Sequence, residues 1–109
     1  MPRAKFQTLT EQMFYILLCL RTERCGIDIM DMVPELTRGH VTVGSGTLYK
    51  MTPYLSEFQS EGLIEPTRVE GRRRSYILTD RGRRLLAREY EHICRRAEDY
   101  RRIMEEESI

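Results

Sequence analysis

Two groups of residues could do chemistry. Arg72, Arg73 and Arg74 stand together between two short strand-like runs, and upstream of them the polar string Ser45-Gly46-Thr47-Leu48-Tyr49-Lys50 opens a helical run. Guanidinium groups match phosphate oxygens in a planar, bidentate fork. Hydroxyl and ammonium donors at the start of a helix can reach phosphates or base edges in a major groove. The chemistry that fits both groups is recognition of duplex DNA. Ser45, Thr47 and Tyr49 are donors, and Gly46 permits close backbone approach. Lys50 reaches a phosphate or a guanine, and the arginines meet phosphate or a narrow minor groove. Strand alternation cannot place all three arginines on one side, so Arg72 and Arg74 are favoured over Arg73. The competing reading of Thr47 and Tyr49 is helix capping and local packing.

The charge distribution leans the same way. The net charge of +1 over 109 residues decides nothing. Residues 68–88, however, hold eight arginines (68, 72, 73, 74, 81, 83, 84 and 88) against Glu70 and Asp80, a local +6 that leaves −5 elsewhere. A basic block in a near-neutral chain is a candidate electrostatic footprint for a polyanion. A solvated, arginine-rich helix face is the alternative.

Other chemistries find little footing. His40 and His92 are isolated, with no ligand or triad spacing around them, so no catalytic residue, metal or cofactor is predicted. Cys19, Cys25 and Cys94 are odd in number and lack CxxC spacing, which reads as unpaired thiols in a reducing cytoplasm. No apolar run approaches the ~20 residues of a membrane span. Residues 13–20 are apolar throughout but are not followed by a small-residue cleavage site, so they are not read as a signal peptide.

The elements that must position these groups follow from pattern. The length suits one domain with a modest core. Thr10, or Thr8 a turn earlier, caps a first helix. Residues 13–20 are apolar at every position, so this helix must be covered on all sides; Phe14 and Leu18 are assigned to a face that meets a second subunit, and a central core helix of the one chain is the alternative. Ile29, Met32, Val33 and Leu36 give a second helix, with Asp28 and Asp31 in its first turn and Pro34 expected to kink it or end it early. Leu48, Met51, Leu55 and Phe58 form the buried stripe of a third helix, with a kink or restart expected at Thr52-Pro53. Gly62 closes that helix.

Residues 63–69 and 75–78 read as strands joined by a tip at Glu70-Gly71-Arg72-Arg73, with Pro66 confining the first to a sheet edge. Thr79 caps a last helix of about 26 residues, ~39 Å long. Along it Leu86, Tyr90, Ile93, Ala97, Tyr100 and Met104 recur at a period of 3.5, the seam of a coiled-coil-like contact with a second copy of the chain. The order predicts a mostly α (α+β) fold: a winged helix-turn-helix with a two-stranded β-wing and a long C-terminal dimerisation helix. Residues 1–79 form the DNA-binding part and residues 80–109 the dimerisation helix, in one continuous unit.

Gly46-Thr47-Leu48-Tyr49, Glu61-Gly62-Leu63-Ile64-Glu65, Gly71-Arg72-Arg73-Arg74-Ser75-Tyr76 and Leu78-Thr79-Asp80-Arg81-Gly82 together resemble the PadR-like transcriptional regulators. The likeness covers nearly the whole chain, and the length resembles the family's short subgroup with a single C-terminal helix. It implies a cytoplasmic homodimer, joined through first and last helices, that binds a palindromic operator, usually as a repressor. It also implies release in some members by a small aromatic or cationic effector. The chain departs from the family in three places. Cys25-Gly26-Ile27 stands where a histidine-glycine-tyrosine turn is common, and Gly44-Ser45 where serine-proline is common. The run from Tyr49 to Gly62 is also a few residues longer, which with Pro53 implies a recognition helix reshaped toward its C-terminal half.

Two other readings stay open at this level. One is a winged-helix protein–protein module without DNA reading. The other is a ligand or redox sensor, with Phe14, Tyr15, Tyr90 and Tyr100 lining an interface pocket or Cys94 beside the seam.

Overall fold

Thr10 opens the first helix: its hydroxyl accepts from the Met13 amide at 3.2 Å, and α1 runs Glu11–Cys19. The structure, a computed structural model, describes residues 9–43 and 48–107; the side chains of residues 48–50, 52 and 107 also lie outside the description. Ile16, Leu17, Cys19 and Leu20 of this first segment are fully buried. Met13, Phe14, Tyr15 and Leu18 are half-buried, so the protomer covers only part of the apolar cylinder.

A two-residue strand, β1 (Arg24–Cys25), and α2 (Gly26–Leu36) follow. The helix passes through Pro34 and does not end there, contrary to one expectation from the sequence. Beyond it the buried Thr37 hydroxyl donates to the Val33 carbonyl at 2.8 Å and accepts from the Val41 amide at 3.0 Å, which fixes the turn leading toward the third helix. α3 (Leu48–Ser60) is one continuous helix through Pro53, so the expected restart at Thr52-Pro53 does not occur. Met51, Leu55 and Phe58 are buried as the stripe requires. The Tyr54 ring stacks on Phe58, and its hydroxyl donates to Gln12, whose amide donates to the Thr42 carbonyl; α1, the α2–α3 loop and α3 are thereby tied together.

α3 ends in a Schellman motif. Gly62 adopts φ +74°, the Leu63 amide donates to the Phe58 carbonyl at 2.9 Å, and the Gly62 amide donates to Gln59 at 3.0 Å. The chain then forms β2 (Ile64–Glu70) and β3 (Arg73–Leu78), an antiparallel hairpin. β1 adds to the far side of β3, giving the order β1-β3-β2. The hairpin itself is two-stranded as expected, and the third strand is the short β1 that precedes α2. Pro66 sits on β2, an edge strand, where its missing N–H leaves no ladder bond unmade.

α4 (Asp80–Glu107) is 28 residues, a rod of about 42 Å at 1.5 Å per residue. Its start is locked to the core. The Thr79 hydroxyl donates to the Gly62 carbonyl at 2.6 Å and accepts from the Gly82 amide at 3.1 Å, and the Thr79 amide donates to Leu63. Thr79→Ala removes both hydroxyl bonds and is expected to cost about 1–2 kcal/mol. The check is thermal unfolding: a fall of several degrees in Tm is expected, and an unchanged Tm would count against the capping role. The buried Glu89 accepts from the Leu9 amide at 3.4 Å and ties the first half of α4 back to the domain. Beyond it the helix projects. The radius of gyration is 16.1 Å, against roughly 13 Å for a globule of this length.

Candidate nucleic-acid interface

The wing is built by the hairpin. Only Ile64 of β2 and Tyr76 and Leu78 of β3 are buried, so everything from Glu65 to Arg74 stands clear of the core. The tip is the two-residue turn Gly71-Arg72 between the paired Glu70 and Arg73, with Gly71 at φ +63°. A positive φ at the first turn residue is what a two-residue hairpin loop of type II′ demands, and glycine meets it without strain.

Alternation separates the three arginines. Arg74 shares a face with Tyr76, and that face turns toward α3. Arg73 shares the opposite face with Ser75, Arg68 and Glu70. There Arg68 pairs with Glu70 at 3.3 Å and with Glu23 at 3.8 Å. Asp28 joins the same recess. Its carboxyl is held below the usual range, first by the Cys25 amide and then by the Cys25 thiol, each donating at 3.2 Å, with Arg73 and Arg24 contributing. Among the described residues Arg72 and Arg74 form no ion pair. The outer face of the sheet is therefore a neutralised mixture of charges, and the inner face carries uncompensated cations.

Between the wing and the helices lies an open groove of about 450 Å³, lined by Cys25, Gly26 and Ile27 of the β1–α2 junction, Met51, Leu55 and Ser56 of α3, and the three arginines with Tyr76. Sequence reasoning missed the groove's apolar wall. Its members come from three elements and share no local spacing.

Of the predicted reading residues, Ser45, Gly46 and Thr47 lie outside the described residues. Tyr49 and Lys50 fall in the first turn of α3, with their side chains outside the description. Arg72, Arg73 and Arg74 are exposed at and beside the wing tip. Of the predicted seam, Leu86 is buried in the protomer's own core, which leaves the projecting part to begin at Tyr90. Tyr90, Ile93, Ala97, Tyr100 and Met104 are exposed, and Ile103 adds a further apolar side chain beside them. Phe14 and Leu18 are half-exposed on α1.

The described cysteines are free. Burial pushes the Cys19 thiol up, which makes it a poor nucleophile. The neighbouring Cys94 side chain holds the exposed Tyr90 hydroxyl above its ordinary range. Among the described residues no group of three His, Cys, Asp or Glu side chains is placed to hold a metal ion, and no helix is long and apolar enough to cross a membrane.

A helical trio, a projecting β-hairpin and a long C-terminal helix, in that order, define a winged helix-turn-helix protein. Residues 16–88 match the Transcriptional regulator PadR-like family, and the chain belongs to that family of transcriptional regulators. Solved structures with the same fold include RosR of H. salinarum, with a TM-score of 0.66 at 21% identity over 95% of this chain and 97% of that one. The complex hsRosR-S1 gives 0.61 at 25% identity over 92% of each chain. A transcriptional regulator from Clostridium thermocellum, Cth-833, gives 0.58 at 15% identity over 88% and 90%. A comparison with curated protein sequences finds no match.

Proposed function

We propose that the protein is a cytoplasmic, homodimeric repressor that binds a palindromic operator in duplex DNA. The N-terminal end of α3 enters the major groove with Ser45, Gly46, Thr47, Tyr49 and Lys50, and the wing lies on phosphate or in the adjacent minor groove. The observation that carries this reading is the pair Arg72 and Arg74: exposed, unpaired with any described acid, and held by a projecting hairpin beside α3. Acids gather instead on the opposite face of the wing, where they cannot repel a phosphate backbone.

The test is binding to the DNA upstream of the protein's own coding region, measured by anisotropy across a salt series. If each protomer neutralises about three phosphates, log K falls with log salt at a slope near −5 for the dimer. Arg72→Ala with Arg74→Ala removes about four contacts per dimer, so the slope should flatten by about three to four. Arg73→Ala, taken from the compensated face, should change it far less. Unchanged operator affinity in the Arg72/Arg74 variant would remove the wing from the interface. A chain indifferent to duplex DNA in dilute salt would leave the winged-helix protein–protein module as the better reading.

A further inference from the structure

We infer that the groove between the wing, α2 and α3 binds a small amphipathic organic anion, an apolar body ending in one acidic group. Its volume of about 450 Å³ lies within the range of roughly 300–1,000 Å³ typical of small-molecule sites. The chemistry of the lining is divided. Met51, Leu55 and Tyr76 are buried and form an apolar floor, and Ile27 extends that surface to the mouth while remaining 44% exposed. Arg72, Arg73 and Arg74 all line the groove, and among the described residues no acidic side chain does. The acids near the wing, Glu23, Asp28 and Glu70, line a neighbouring polar recess, which shares only Cys25 and Arg73 with the groove among the described residues.

DNA alone does not account for this lining. A phosphate backbone lying on the rim uses the guanidinium groups and has no use for a recessed apolar wall. A cation would meet repulsion from the arginines with no carboxylate to offset it. A neutral apolar molecule would use the floor and leave the rim idle. An anion with an apolar body uses both, and a charge-assisted hydrogen bond from Arg72 or Arg74 fixes its polar end.

The regulatory consequence rests on the proposed function. The arginines that hold the anion are those assigned to the operator phosphates, so occupancy of one excludes the other, and each ligand weakens the other by the same factor. The binding site itself does not depend on that reading.

The experiment uses the full chain without DNA and two fluorescent probes of like skeleton. 8-Anilino-1-naphthalenesulfonate carries an anion, and N-phenyl-1-naphthylamine carries none. The sulfonate is expected to bind at micromolar concentration and the neutral probe at least about tenfold more weakly, since a hydrogen bond to a charged group is worth about a decade of affinity. Arg72→Gln, Arg73→Gln and Arg74→Gln together should remove that difference. Ile27→Trp, at a half-exposed position that fills the groove, should weaken the sulfonate by about tenfold or more while the unfolding temperature holds. Ser56→Trp does the same from the α3 wall and serves if the Ile27 variant fails to fold. Sulfonate binding that survives both tryptophans, or that ignores the arginine variant, would overturn the site. Adding operator duplex then separates the two readings. Displacement of the probe supports exclusion, whereas probe binding with the expected variant response in a chain that never binds DNA keeps the site and removes the repressor reading.

Discussion

A double substitution on the projecting helix, Ile93→Glu with Tyr100→Glu, should yield a folded monomer whose operator affinity is lower by about a hundredfold or more, because bivalent attachment multiplies affinity by 10²–10⁴. Tyr100 is 69% exposed and Tyr90 62%, and it is their continuity with other apolar side chains, not their exposure singly, that marks an interaction surface. They recur with Ile93, Ala97 and Met104 at steps of three and four, so one apolar line runs down the last half of α4. The charged side chains on this half pair with one another, Arg101 with Glu98 at 2.7 Å and Arg102 with Asp99 at 3.3 Å.

Paired seams would bury that line, and the half-exposed Phe14 and Leu18 of α1 would extend the contact toward the domain. Ile93 and Tyr100 are not among the described residues of the core or those packed against it, so the variant should keep its secondary structure, with fraying confined to the end of α4. Four new carboxylates at the centre of a dimer seam would be desolvated beside one another, which disfavours association strongly. Sedimentation velocity gives the oligomeric state and anisotropy gives the affinity. A wild-type chain that is monomeric at micromolar concentration, or a variant that binds the operator as tightly as wild type, would remove the dimer from the mechanism.

Much of this architecture is legible in short-range pattern. Thr10, Gly62 and Thr79 are read as caps because their hydrogen-bond partners lie within a few residues, and those bonds form. The α3 stripe is read from spacing and is buried. The early end at Pro34 and the restart at Pro53 fail to occur for a common reason. An interior proline costs about 3 kcal/mol, but Val33 beside Pro34 and Met51, Leu55 and Phe58 around Pro53 are fully packed, and helices in proteins are held mostly by such burial. β1 is illegible because it is two residues long and its partners, Ser75 and Tyr76, lie far along the chain. Leu86 belongs to the seam by period and to the core by position, since the first turns of α4 present the same face to their own domain.

The sorting of the wing arginines lies between these cases. Alternation alone separates Arg73 from Arg72 and Arg74. That acids accompany Arg73 depends on the β-bulge between Pro66 and Arg68. The extra residue there sets Arg68 opposite Ser75 and Glu70 opposite Arg73. Without it Arg68 would stand opposite Arg74, and the inner face would acquire Glu70 as well.

Gly82→Ala is expected to destabilise the protein by about 2–4 kcal/mol, although alanine is the better helix former by about 1 kcal/mol. The sign turns on one contact. A Cβ at Gly82 would collide with the Leu63 carbonyl oxygen and press on Leu78 Cδ2 at 2.9 Å. The obstacle is backbone and cannot swing aside. That same carbonyl accepts from the Thr79 amide at 3.0 Å, so relieving the clash strains the bond that sets α4 on the sheet.

The helix is also the lever that would fix the spacing of two wings in a dimer. A small tilt at Gly82 is magnified along about 42 Å of rod, so the variant should lose operator affinity even where it remains folded. Thermal unfolding at fixed concentration, needed because dimerisation makes Tm depend on it, should show a fall of roughly 10–20 °C. An equal or higher Tm would mean that α4 does not sit on Leu63, and the lever proposed to space two wings in a dimer would have to be redrawn.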